Sequence, residues 1–174
     1  MPAEHHRSSA AFKIVFSMCL PEGFTVRRAS TADLDTLVEH RWAMFHDMGY
    51  DDDVALNSMS AKFRVWLLEH MNSGDYQAWL ACAPDGSIAA GAGLWLMDWP
   101  PHMVGQSARR GNILNVYTSE NFRRRGLARR LMEAALLWCR ENQVDTIILH
   151  ASPSGRNLYE SMGFTPTNEM RLRL

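Results

Sequence analysis

NILNVYTSENFRRRGLARR, residues 112–130, decides the reading of this chain. Asn112–Thr118 reads as a strand, Ser119–Arg125 as a polar turn, and Gly126–Asn142 as a helix with Leu127, Leu131, Ala134, Ala135 and Trp138 on its inner stripe. A helix start exposes unpaired backbone N–H groups and a partial positive charge, which together suit a phosphate. Gly126 lets the backbone approach an anion and can take positive φ, and Ala128 keeps the first turn slim. Arg123, Arg124, Arg125, Arg129 and Arg130 add full charges with bidentate donors. Cations are unfavourable at a helix N-terminus unless an anion arrives, so the cluster predicts a bound phosphate rather than a solvated basic patch.

Downstream, Thr146–His150 is a near-continuous apolar run, as expected of a strand covered on both faces. Strand, helix and strand in succession form a βαβ unit with parallel strands and a right-handed crossover. Arg156–Met162 reads as a short helix stopped by Gly163, and Glu169–Leu174 as a final strand whose edge is open to pairing. Upstream, Phe24–Arg28 is a short strand. Ser30 or Thr31 caps a helix that Gly49 ends, and a second helix runs from about Asp53 to Met71. Tyr76–Cys82 and Ser87–Met97 form a hairpin about the turn Ala83-Pro84-Asp85-Gly86. Gly91 and Gly93 predict a bulge or a close backbone approach in its second strand, and Asp98–Gly111 a long polar loop. The fold class is therefore α/β with a mixed sheet. Residues 23–174 are expected to be one domain, and residues 1–22 a loosely ordered extension or an early translation start.

Composition narrows the function. The 174 residues are 47% hydrophobic and 21% charged, which is ordinary for a globular protein. A net charge of −1 gives no general pull toward nucleic acid or an anionic membrane. No apolar run is long enough to span a bilayer. Cys19, Cys82 and Cys139 fit neither a zinc pattern nor a disulfide framework, so no metal and a cytoplasmic location are expected. Ala10–Leu20 resembles a signal peptide only weakly, because Lys13 interrupts it and no small-residue cleavage pattern precedes Pro21.

Arg123-x-x-Gly126-x-Ala128, following a strand and opening a long helix, resembles the Arg/Gln-x-x-Gly-x-Gly/Ala motif of the GNAT family of N-acetyltransferases. Leu158-Tyr159-Glu160-Ser161-Met162-Gly163-Phe164 is similar to that family's Leu-Tyr-x-x-x-Gly-Phe run. The resemblance implies a sheet splayed in a V between the strand ending at Thr118 and the strand Thr146–His150, with acetyl-CoA as co-substrate in the cleft. It implies that Val116, Tyr117 and Thr118 line the pantetheine arm, with the N–H of Val116 polarising the thioester carbonyl. Arg123, Arg124, Arg125, Gly126, Leu127, Ala128 and Arg129 would bind the pyrophosphate, Ser152 would hydrogen-bond the cofactor, and Tyr159 would be the general acid. Oligomeric state is not readable from the sequence; the resemblance implies a homodimer only as one option, since members of that family are often dimers.

Two departures stand out. Ser152 replaces the asparagine that many members carry seven residues before the tyrosine, and Asn112 replaces a glutamate that relays a proton from the amine. An amide is no base, so His150, Glu39, His46 and His40 stay open for that role, as does a substrate that binds already neutral. The acceptor is expected over the first two helices, where Arg41, Met44, Phe45, Met48, Tyr50, Asp51, Asp52, Asp53 and nearby Trp95 lie. The acidic run either attracts a cationic amine or is a solvated loop in which Asp53 caps the second helix. The leading reading is direct acetyl transfer to a small amine. The alternatives are an acyl-CoA-binding module without turnover and a transferase acting on a peptide or protein amine; transfer to aminoacyl-tRNA is disfavoured by the charge.

Overall fold

The computed structural model describes residues 20–103 and 105–173. The expectations for most of the N-terminal extension, including Cys19 and the signal-like stretch, lie outside the described residues. In chain order the elements are β1 (Thr25–Arg28), α1 (Leu34–Asp47), α2 (Asp53–Ser73), β2 (Tyr76–Cys82), β3 (Ile88–Asp98), β4 (Arg109–Thr118), α3 (Leu127–Glu141), β5 (Ile147–Leu149) and α4 (Arg156–Glu160). They build a five-stranded sheet in the order β1-β2-β3-β4-β5. Strands β1 to β4 pair antiparallel, and β5 pairs parallel to β4.

Local chemistry sets the helix ends. Ser30 and Asp33 form a capping box, in which Ala32 N–H donates to Ser30 Oγ at 3.3 Å and Ser30 N–H to Asp33 Oδ2 at 2.8 Å. Asp52, not Asp53, caps α2: its side chain accepts from Ala55 N–H at 3.0 Å, because the cap carboxylate must sit one residue before the first helical position. Gly74, at φ 80°, closes α2 in the left-handed region.

Each face of the sheet has its own core. Leu127, Leu131, Met132, Ala135 and Cys139 of α3 pack on Ala81, Ala90, Ala92 and Leu94. On the opposite face Leu34, Leu37, Phe63 and Leu67 of α1 and α2 pack on Tyr76, Ala78 and Leu80. Burial of each large apolar side chain is worth about 1.5–3 kcal/mol, and these two layers clamp β3 and β4 between them.

Several expectations are corrected. Strand β4 begins at Arg109, which shortens the expected polar loop. Paired side chains hold its start: Arg109 bonds Asp75 and lies 3.8 Å from Asp98. Strand β5 is three residues long and only half-buried, not covered on both faces, because on its outer side it lines a cleft rather than another strand. Described residues 169–173 form no strand. Their apolar positions pack on nothing among the described residues: Met170 and Leu172 are 94% and 82% exposed.

The expected irregularity near Gly91 and Gly93 is present, but the extra residue is on β4. Gly91 pairs with Tyr117 and Gly93 with Leu114, so Ala92 alone opposes both Asn115 and Val116. Asn115 takes φ 56°, a left-handed conformation that asparagine tolerates better than most residues. The glycines serve close approach instead. A Cβ on Gly91 would lie 2.8 Å from His40 Nδ1, and one on Gly93 would overlap the Tyr76 phenol.

Candidate functional site

The site grows out of where β4 loses its neighbours. Strand β5 matches β4 only at Gly111, Asn112 and Ile113, so from Leu114 to Thr118 the β5-side edge of β4 is unpaired and the two parallel strands part. On the other side, Asn115 and Val116 have no register partner on β3. Backbone donors and acceptors at the end of β4 are thus left for something other than the sheet.

The polar turn that follows is shaped to take an anion. Residues 123–126 are all exposed. Arg124 at φ 61° and Gly126 at φ 77° alternate with residues of ordinary negative φ, a conformation that gathers successive N–H groups into a concave nest. Gly126 is the N-cap of α3 and supplies no side-chain cap, so the first N–H groups of the helix keep their hydrogen-bonding capacity. A Cβ at Gly126 would meet nothing within 4 Å, so the glycine is there for its φ and for open space above it. These features fit the pyrophosphate of an acyl-CoA on backbone grounds alone.

The arginine side chains are less available than their sequence implies. Arg123 bonds Asp47 at the end of α1 and donates from Nε to the Thr118 carbonyl at 3.0 Å. Arg125 donates to the Asn121 carbonyl at 3.3 Å, Arg129 to Ser161 Oγ at 2.5 Å, and Arg130 to Glu133 at 2.6 Å. Carboxylates thus offset two of the five positive charges, those of Arg123 and Arg130, and neutral oxygens take donors of Arg125 and Arg129, which weakens the argument that the cluster needs a ligand for stability. Leu127 is a core residue at 1% exposure and can offer a ligand only its backbone. Ala128 and Arg129 are half-buried on the first turn of α3.

Tyr159 of α4 is half-buried, with its ring edge-on to Phe164 at 6.0 Å. Its hydroxyl has no hydrogen-bond partner among the described residues. Burial raises its pKa above the ordinary phenol value, so it holds a proton that it can donate. Tyr159 shares a cleft of ≈ 300 Å³ with His150, which meets Glu169 Oε1 at 3.1 Å. Ser152 is already engaged: its hydroxyl accepts from Gly155 N–H at 3.2 Å, shaping the turn before α4.

Among the base candidates, Glu39 is exposed, and His46 is exposed and stacked on Trp42 at 5.0 Å. His40 is 5% exposed, lies 5.1 Å from the ring of Tyr117, and burial lowers its pKa to about 4. It is neutral at physiological pH but a weak base.

The sequence singled out Arg41 only as one residue of an acceptor helix and missed what it joins. Arg41 Nη1 donates to Asn115 Oδ1 at 2.6 Å, and Asn115 Nδ2 donates to the Tyr76 hydroxyl at 2.9 Å. Tyr76 is buried, and its pKa is pushed up to about 12 by that burial, so it stays a phenol. This network fixes the left-handed Asn115 immediately before Val116. The missed signal was an asparagine inside an apolar strand, a poor strand former that accepts positive φ. Among the described residues no cluster of potential ligands could hold a metal ion, and no helix is long and apolar enough to cross a membrane.

Comparison with known proteins bears on the family and the fold. The family model described as Acetyltransferase (GNAT) family matches residues 34–164. A GCN5-related N-acetyltransferase from Ralstonia eutropha is 35% identical, with a TM-score of 0.82 over 87% of this chain and 99% of that one. A predicted acetyltransferase from Clostridium acetobutylicum, solved with acetyl-CoA, is 26% identical, with a TM-score of 0.78 over 87% and 95% of the two chains. Glucosamine-6-phosphate N-acetyltransferase from Arabidopsis thaliana, 18% identical with a TM-score of 0.61 over 88% and 99%, shares the fold. No curated protein matches the chain.

Proposed function

The chain belongs to the GNAT acetyltransferase family, and from that premise we propose that it transfers an acetyl group from acetyl-CoA to the amine of a small molecule by direct attack. The observation that carries the reading is the β5-side edge of β4 over Leu114–Thr118, which β5 leaves unpaired, leading into the uncapped start of α3. A strand edge followed by a nest of N–H groups suits a ligand with amides along one stretch and phosphates at its end.

In this reading, backbone N–H groups of Arg124 through Arg129 hold the pyrophosphate. The edge at Val116, Tyr117 and Thr118 aligns the pantetheine arm. Acetyl-CoA supplies an activated acyl group on a thiolate leaving group. The Val116 N–H donates to the thioester oxygen as negative charge builds there, and the network through Asn115 keeps that donor in place. Tyr159, protonated and without a hydrogen-bond partner among the described residues, gives its proton to the departing thiolate. Asn112 cannot take a proton from the amine, so the acceptor enters as the free base or loses its proton through water.

Asn112 also favours a second reading, a module that holds acyl-CoA without turnover. Thiol release from acetyl-CoA across an amine panel separates the two: transfer predicts amine-dependent release, whereas binding without release supports the module. Tyr159→Phe should lower kcat about 100-fold with little change in acetyl-CoA affinity, as expected for a lost proton donor. An unchanged kcat across the pH range would remove Tyr159 from the mechanism.

A further inference from the structure

Arg41 does more than its bond to Asn115 requires. Asn115 Oδ1 needs one donor, and a guanidinium brings five along with a full charge. That charge is half-buried with no carboxylate partner among the described residues, and Nη2 has no hydrogen-bond partner there. The arginines that reach α1 from elsewhere end on its acids: Arg64 on Asp35 and Arg123 on Asp47. Arg41 instead lies against the rings of Phe63 and Phe45, at 4.5 and 5.0 Å, with Nε on Met59 Sδ at 3.3 Å. Packing fixes the guanidinium while one end of it stays unused. An uncompensated cation in such surroundings is costly unless an anion completes it.

Two features place that anion. Arg41 grips the residue next to Val116, so a group bound to it sits near the proposed reacting carbonyl. Phe45 and Met59, both touching Arg41, also line a cleft of ≈ 300 Å³ between the end of α1 and the start of α2, with Tyr50 and Leu56 as further apolar walls. Asp51 and Asp52 stand at the same cleft, so it does not suit a multiply charged anion. We propose that the acceptor is an α-amino acid with an apolar side chain: Arg41 holds its carboxylate, the cleft takes its side chain, and its amine faces Val116. This rests on the transferase reading and names its substrate class.

The test uses leucine, methionine and phenylalanine, each beside its carboxamide and its decarboxylated amine, with thiol release from acetyl-CoA as readout. The full-length protein should prefer the acids by roughly 10- to 100-fold in kcat/KM, the range of a charge-assisted hydrogen bond. Arg41→Met should erase that preference, read as the ratio of acid to carboxamide kcat/KM within the variant so that a general loss of activity does not enter, and Arg41→Lys should keep part of it. Equal or better use of the carboxamides or amines, or a preference that survives Arg41→Met, overturns the proposal. If no amine releases thiol, the transferase reading fails separately. Calorimetry with the N-acetylated acids against their carboxamides then decides the Arg41 site: acid-selective binding lost in Arg41→Met supports it, and indifference overturns it.

Discussion

The turn between β4 and α3 and the pair of helices α1 and α2 meet at the end of β4, where Arg123 reaches Asp47, yet they are built by different means. The turn is made of backbone: two left-handed residues, a helix start without a side-chain cap, and partners close in sequence, such as Arg123 on Thr118. The helical side is made of side chains brought from far apart. Arg41 and Asn115 are 74 positions apart and Asn115 and Tyr76 are 39, and they meet only because the sheet is formed. A backbone-built site can be altered without unfolding the protein, whereas a site built from buried side chains shares its fate with the core.

Substitutions can break that contrast, and the largest expected effect is on the turn. Gly126→Glu forces a side chain into φ 77° and sets a carboxylate where the proposed pyrophosphate would lie. Repulsion at that range is about 4 kcal/mol, close to a thousandfold loss of acetyl-CoA affinity by calorimetry, with an unchanged circular dichroism spectrum. Near-native affinity would move the pyrophosphate elsewhere.

On the opposite side, Asn115→Leu leaves Arg41 and the Tyr76 hydroxyl without their partner. Thermal or urea unfolding should show a loss of about 3 kcal/mol. If stability fell by less than about 1 kcal/mol, the buried network would not be a structural unit of the helical side.

His40 sharpens the comparison through pH. Its folded pKa of about 4 lies below the ordinary 6.5, so the unfolded chain takes up a proton first as pH falls. Its contribution is intact above pH 6.5 and is lost between pH 6.5 and 4, up to about 3 kcal/mol. His40→Asn should remove that slope from the pH dependence of unfolding, and a slope that persisted would belong to other groups.

The smallest effect is expected at the contact between the two regions. Arg123 and Asp47 are both partly exposed, so Asp47→Asn should change stability by less than about 1 kcal/mol. It also frees the Arg123 guanidinium, and acetyl-CoA affinity should rise a few-fold. A fall in affinity would mean that Asp47 positions Arg123 for the ligand.

How much was legible follows the same division. The β4–turn–α3 unit, the hairpin and the second motif around Tyr159 were readable because periodicity, glycine and capping residues act over a few positions. Misreadings arose where a neighbour in space decides. Strand β4 extends back to Arg109, whose partner Asp75 comes from the loop before β2. The segment 169–173 alternates as a strand should but pairs with no strand among the described residues. The bulge was read from glycines on β3, while the extra residue lies opposite on β4. Glycine marks where something comes close without saying what does.

The sequence by itself determined the family motifs, the α/β class and the glycine-closed turn before α3, because those depend on local dihedral preference and short-range patterning. Only the tertiary structure decided that four of the cluster's arginines already meet acceptors of the chain, that Ser152 serves a turn, and that Arg41 reaches the bulge with charge to spare. Side-chain pairing across dozens of residues is fixed by how the sheet and helices pack, and no local pattern carries that information.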